Sequence, residues 1–286
     1  MFEFFEGLIG DLKLKLVSNF SDKLSEFISE TFKNIGKDKD DKVKEVEASS
    51  GYYSQLASSG NYSKLASSGG SSQLEVTGNS SIAFACGYKS IIKAKKGTWI
   101  ALAEYGEDKE GRYIPIFAVA VQIGNKEFKD VKGKILKETE FYTLHDKKLY
   151  AVDSSDGILT LKISERTADG IKIIKGLGFN NFEEIYVVKE GELSAHGDTL
   201  REALDDLTFK KLKNTDVSDI VAEIKKSGKV NRMQYRVITG ACRRGTNNFC
   251  KQHNIEDLEE IELDELKKIL VNDYGAEKFW SLIDKN

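Results

Sequence analysis

The sequence predicts an α+β, multidomain fold: an N-terminal amphipathic helix, a short nonapeptide β-solenoid or β-roll, a small β domain and a C-terminal helical bundle. Three observations carry that expectation. Glycine returns every nine residues from Gly51 to Gly87, large apolar side chains return every four residues from Leu8 to Phe32, and Thr199-Leu200-Arg201-Glu202 opens a helical stretch with a capping box. The segments are 1–48 for the helix and a charged linker, 49–97 for the solenoid, 98–197 for the β-rich domain and 198–286 for the helical domain.

In the first segment Leu8, Leu12, Leu16, Phe20, Leu24, Ile28 and Phe32 form one stripe, widened by Phe5, Ile9, Val17, Phe27 and Ile35. An isolated helix of this kind is not stable in water, so the stripe needs a partner. Packing on its own chain is the simple reading; self-association through Leu8 to Ile28, with a trimer as first guess, is the sharper one. The polar face carries as many acids as bases, which argues against an interfacial membrane helix. Residues 36–48 are charged in mixed sign and read as a solvated linker.

The repeat units are GYYSQLASS, GNYSKLASS, GGSSQLEVT, GNSSIAFAC and GYKSIIKAK. Serine holds the fourth place throughout (Ser54, Ser63, Ser72, Ser81, Ser90), and the sixth is Leu56, Leu65, Leu74, Ala83 and Ile92. Places four, six and eight share one face of an extended chain. That face is small-aliphatic-small, which suits the narrow interior of a coil. Nine residues are too few for a closed turn, so two units of nine make one coil, and five units give about two and a half coils. Glycine is read as permitting the tight corner, Leu65 as pointing inward and Lys64 as pointing outward. A flexible Gly/Ser linker would need no such register, and the units lack the aspartate of calcium-binding nonapeptides. Ile82, Phe84 and Ile91 make outward places apolar in the last units and predict docking against a neighbour.

From residue 98 onward, short apolar runs at 98–103, 114–123, 141–144, 149–152, 158–163, 171–174 and 185–188 read as strands, separated by Gly124-Asn125, Asp156-Gly157 and Asp169-Gly170. After the capping box, helices are expected over 217–226, 230–252, 263–272 and 276–284, punctuated by Gly228, Gly245 and Gly275.

Charged residues make up 31% of the chain, yet the net charge is only -3, so bulk charge favours neither nucleic acid nor acidic substrates. Three cysteines without a framework spacing argue against a disulfide scaffold. The N-terminus carries acids where a signal peptide carries bases, and no apolar run is long enough to span a membrane. The expectation is a cytoplasmic protein with no membrane association.

No motif reads as catalytic, and no cofactor or metal is expected. Cys242, Cys250 and His253 form C-x7-C-x2-H, wider than paired zinc ligands and without a fourth, so the cysteines read as buried helical residues. His145 and His196 have no adjacent nucleophile or acid pair. Asp153 and Asp156 read as a turn rather than a calcium loop, and Gly176-Leu177-Gly178 lacks the helix and third glycine of a dinucleotide site.

Charge is segregated locally instead. Lys225, Lys226, Lys229, Arg232, Arg236, Arg243, Arg244 and Lys251 lie in a stretch free of acids, and seven acids follow from Glu256 to Glu265. Mutual neutralisation within the bundle is one reading; the other is a recognition surface through Arg232, Arg236, Arg243, Arg244 and Lys251. Arg243 and Arg244, ahead of Gly245, are read at a helix carboxyl end. The adjacent acids favour a protein partner of both signs over a nucleic acid.

The repeats resemble, in style only, the heads of trimeric autotransporter adhesins. More closely, the chain after residue 50 is similar to uncharacterised phage and prophage accessory proteins. The likeness is carried by the repeats, by Gly97-Thr98-Trp99-Ile100-Ala101-Leu102-Ala103-Glu104-Tyr105, by Ser194-Ala195-His196-Gly197-Asp198-Thr199-Leu200-Arg201-Glu202-Ala203 and by Tyr235-Arg236-Val237-Ile238-Thr239-Gly240-Ala241-Cys242. The resemblance implies a mobile-element origin and no catalytic residues. The function expected from the sequence is a non-enzymatic, oligomeric interaction protein that binds a host or phage protein, with inhibition of a host defence system, as by an anti-CRISPR, as its role. The alternatives are a trimeric virion or tail-associated structural protein and a nucleic-acid-binding regulator using residues 225–253.

Overall fold

The computed structural model describes residues 46–213 and 216–284. The expected N-terminal helix, with Leu8, Leu12, Leu16, Phe20, Leu24 and Ile28, lies outside the described residues. The fold is mixed α+β: a β-solenoid of about three turns over 46–102, further β-sheet, then helices. The described residues divide into two compact units, 46–164 with Lys175–Glu183, and Glu165–Ile174 with the described residues from Glu184 onward.

In the first unit the repeats become four-residue strands: β1 (Val46–Ser49), β2 (Gln55–Ser58), β3 (Lys64–Ser67), β4 (Gln73–Val76), β5 (Ile82–Ala85) and β6 (Ile91–Ala94). Alternate strands pair in parallel, with Gln55 opposite Gln73 and Lys64 opposite Ile82, so each coil is two units of nine. The longer β7 (Trp99–Glu107) stacks its first residues on β5 in parallel, Ala83 opposite Ile100. The solenoid therefore reaches beyond the glycine register at both ends. Val46–Ser49, which overlaps the end of the segment read as a solvated linker, is a rung whose sixth place is Glu47, a charged residue where the later units carry an aliphatic one.

The inward face is the expected one: Leu65, Leu74, Ala83 and Ile92 are all 0% exposed, and Ser63, Ser72, Ser81 and Ser90 are buried beside them. Burying one Leu or Ile contributes roughly 1.5–3 kcal/mol. The serines close the corners. The Ser58 and Ser63 hydroxyls pair at 2.6 Å and those of Ser67 and Ser72 at 2.7 Å, while Ser72 Oγ donates to Gly69 O at 2.7 Å. Ser63 N–H donates to Ser81 Oγ one coil along, at 3.0 Å.

The role expected of the glycines is corrected. The left-handed corner residues are at the third place, Tyr53, Tyr62, Ser71, Ser80 and Lys89, with φ between 52° and 62°. Glycine is required for a different reason, the close approach of successive coils: a Cβ on Gly78 would stand 1.8 Å from Gly60 O, and one on Gly87 2.0 Å from Gly69 O. Lys64 is a second correction. It occupies an outward place, yet all four residues of β3 are buried, Lys64 to 8% exposure.

Both solenoid sheets continue into antiparallel strands. β7 turns back into β8 (Tyr113–Gln122), and β6 meets β9 (Phe141–His145), which pairs with β10 (Lys148–Asp153). Val121, Leu136, Tyr142 and Leu144 join the aliphatic residues of the coils in one core. Outward Ile91 packs with Tyr150, Val152, Leu161 and Phe179, which meets the expectation that the last coils dock against a neighbouring element; Ile82 and Phe84 are half-buried.

β11 (Thr160–Ala168) and β12 (Ile171–Gly178) run through both units. In the second unit the sheet continues through β13 (Glu184–Glu190) to β14 (Leu193–Gly197), a strand the sequence reading missed. Helix α1 (Leu200–Leu212) starts at the expected capping box and packs Ala203 and Leu207 with Val188 and Ala195. A second core gathers residues of α2 (Ser218–Ser227), β15 (Lys229–Asn231), α3 (Arg232–Thr239), α5 (Leu263–Ile269) and α6 (Ala276–Ile283) around Phe279. Between α3 and α5 come α4 (Arg243–Gln252) and β16 (Glu260–Glu262), and β16 pairs antiparallel with β15.

Candidate functional site

The basic stretch is not one helix. Asn231 caps α3 through its side chain, Gly240 ends α3 with φ 80°, and Cys242 caps α4, its Sγ accepting from Gly245 N–H at 3.3 Å. The stop expected at Gly245 falls at Gly240 because only there must the backbone turn left-handed; Gly245 sits inside the first turn of α4. Arg243 and Arg244 therefore stand at the amino end of a helix, not at a carboxyl end. A cation there opposes the helix dipole, by about 0.3–1 kcal/mol at an exposed site.

The five candidate residues separate into two sets. Arg236 is 6% exposed, bonds Asp206 Oδ1 at 2.7 Å, donates from Nε to Ala241 O at 3.3 Å and lies 4.4 Å above the Phe209 ring. Arg243 has Glu202 and Asp206 carboxylates both at 3.6 Å, which offsets its position at the helix start. Arg232 donates to the Ile255 carbonyl at 3.4 Å and to that of Glu256, holding the loop that follows α4. These three are committed to the fold. Arg244 and Lys251 are exposed, and among the described residues no hydrogen bond or ion pair engages either side chain.

The exposed residues share one face of α4. Thr246, Phe249 and Cys250 turn inward, and Arg244, Asn247, Asn248 and Lys251 lie at the i, i+3, i+4, i+7 spacing on the opposite side. The following acidic segment pairs with Lys229, whose Nζ is 3.2 Å from Glu262, opposite it in the β15–β16 pair. The counter-charges of the buried arginines come from α1 instead. Sequence reasoning missed that role for Asp206. Glu202, named in the capping box, does double duty: its carboxylate also accepts from Thr199 N–H at 3.2 Å.

The remaining candidates are placed plainly. Cys86 and Cys250 are buried; Cys242, expected to be buried, is exposed because it is a helix cap. Burial pushes the Cys250 thiol up, against the neighbouring Arg232 guanidinium, which pulls it down. His145 ends β9 and stacks on Phe182 with ring centres 3.9 Å apart. His196 lies within β14, opposite Val187. Among the described residues no group of three or more His, Cys, Asp or Glu side chains gathers to hold a metal ion, and no helix is long and apolar enough to cross a membrane.

Comparison of the chain with protein-family models, with curated proteins and with solved structures gives no match.

Proposed function

We propose that this is a non-enzymatic interaction protein of phage or prophage origin, and that the outer face of α4 holds a partner protein. One observation carries the reading. Of the five candidate cations, three are consumed by internal contacts, while Arg244 and Lys251 stay outward with two asparagines and no partner among the described residues. Arg244 adds a cation at the positive end of a helix, where it does not help α4 to form. The exposed acids from Glu256 to Glu260 follow in the chain, so the local surface carries both signs. A protein matches both signs; a phosphate backbone is repelled by one of them. Inhibition of a host defence complex is the role that the resemblance to phage accessory proteins supports, and the amphipathic stripe from Leu8 to Ile28 supports a homo-oligomer.

The test is affinity capture of host-lysate proteins by the full chain and by its Arg244→Glu/Lys251→Glu variant, with mass spectrometry and melting temperatures for both. The expected result is a protein held by the first and lost, by tenfold or more, from the second at unchanged melting temperature. Equal capture sinks the site. Captured nucleic acid whose affinity falls linearly on a log–log salt plot favours the regulator reading, for which Arg244 at a helix amino end is the supporting observation. Light scattering of the full chain tests the oligomer, and a monodisperse monomer removes it.

A further inference from the structure

The inner side of α4 borders a cleft within the second unit. Its floor is apolar, formed by Val230, Tyr235, Phe249, Leu266 and Leu270, and the cavity it encloses is small, about 50 Å³. Leu258, Glu259 and Glu260 also line it. Leu258 is 46% exposed, an aliphatic side chain left in water beside an apolar cleft. Glu256, Asp257, Glu259 and Glu260 surround it in sequence, all exposed, and among the described residues none of the four carboxylates has an ion-pair partner. Four like charges within five residues repel one another, and a counter-charge from outside relieves that repulsion.

We propose that this cleft is a peptide-docking site. It seats one large apolar side chain of a basic segment of a partner protein, and the acidic rim holds the flanking Lys or Arg residues. The enclosed space suits a single anchoring side chain, with its neighbours left at the rim. Arg232 also lines the cleft, but its guanidinium is engaged by the Ile255 and Glu256 carbonyls, so an anionic cofactor would meet the acids at the mouth. An apolar anchor in a pocket with charges at the rim is the arrangement in which the anchor supplies affinity and the charges supply steering and selectivity. The site lies on the opposite side of α4 from Arg244 and Lys251, and it stands whether or not that outer face binds anything.

The test is selection from a random twelve-residue peptide library displayed on phage, panned against the full chain, followed by fluorescence anisotropy of the enriched peptides. Enriched sequences are expected to place Leu, Ile, Met or Phe between Lys or Arg residues. Leu258→Asp and Glu259→Lys, both exposed changes, should each weaken those peptides tenfold or more without altering the melting temperature. Arg244→Glu/Lys251→Glu should leave them unchanged, so failure of the outer face and failure of the cleft are read separately. No enrichment, enrichment of acidic peptides, or binding indifferent to Leu258→Asp overturns the proposal. Enrichment of sequences like Leu12-Lys13-Leu14-Lys15-Leu16 makes the occupant this chain's own N-terminal segment and overturns the assignment to a different partner.

Discussion

Leu56 and Ile92 hold the same inward place of the same nine-residue unit, yet Leu56 is half-buried and Ile92 is 0% exposed. The first coil, β1 with β2, pairs along one side only among the described strands, and its corner hydroxyls Ser49 and Ser54 meet at 2.6 Å near solvent. The last coil has both edges extended by antiparallel strands, and its eighth places are Ala85, Ala94 and Leu102 rather than serine. The interior thus changes from hydroxyl-lined to aliphatic along its axis. A repeat frame sets the path of the chain. What stands against each coil sets how much that coil contributes, which is the nearest-neighbour behaviour expected of solenoids.

The largest expected effect comes from coil spacing. Gly78→Ala places a Cβ 1.8 Å from Gly60 O, a backbone atom that cannot move without separating two coils. Gly51→Ala meets nothing nearer than Ser54 Oγ at 3.3 Å, because no described coil lies beneath it. The first substitution should cost about 4 kcal/mol or more in chemical denaturation, and the second within about 1 kcal/mol of zero. Equal denaturation midpoints would show that the coils tolerate separation and that the glycine register serves another purpose. Next in size is the aliphatic filling. Ile92→Ala should cost about 2–5 kcal/mol, and Leu56→Ala well under half of that, since Leu56 is only partly removed from water. A comparable loss at both would erase the distinction between the ends.

Much of this is legible in the sequence, and the reasons are local. Ser72, Leu74 and Val76 alternate with half-buried residues at a period of two, and the pattern recurs every nine, so the inward face followed from periodicity, whereas the burial of Lys64 at an outward place did not. The glycines marked where the coils needed no side chain, but sequence cannot distinguish a corner from a close approach; the left-handed residues are Tyr53, Tyr62, Ser71, Ser80 and Lys89, types that give no such signal. In the helical unit Gly240 and Gly245 are equal candidates for a helix stop, and only the observed φ of 80° at Gly240 separates them. Arg236 read as a surface cation because its partner, Asp206, is thirty residues away in sequence. Charge segregation along a chain locates cations without saying which of them the fold consumes.

An alkaline limit should appear first at the last coils. Burial raises the Cys86 thiol from 9.0 to about 12, and Tyr105, whose hydroxyl donates to Cys86 O at 3.0 Å, is pushed up from 10.0 to about 12, again mainly by burial. In the unfolded chain Cys86 ionises near 9.0, so the stability its neutral form lends is complete below that pH and is lost as the pH climbs toward about 12. Cys86→Ala removes this part of the loss, and the gap between variant and parent should narrow between pH 9.0 and 12. A gap constant over that range would mean that the thiol is not buried as described.

The smallest effect tests the serine corners. Ser67 is 1% exposed, and its hydroxyl pairs with that of Ser72, itself 0% exposed. Ser67→Ala leaves Ser72 Oγ its bond to Gly69 O at 2.7 Å but removes the second partner, at a cost of about 1 kcal/mol. Ser49→Ala removes the equivalent pair in the first coil, where water replaces the lost partner, and should cost a few tenths of a kcal/mol. Stability alone does not separate a hydroxyl contact from lost volume, so the double variant Ser67→Ala/Ser72→Ala completes a cycle. A direct bond gives a coupling energy of about 0.5 kcal/mol or more, and independent packing losses give additivity. Later coils carry Val76 and Ala85 where Ser58 and Ser67 stand, so the frame accepts an apolar corner once a neighbouring element keeps water out. A coupling as large at Ser49 and Ser54 as at Ser67 and Ser72 would mean that the corner hydroxyls act independently of that shelter.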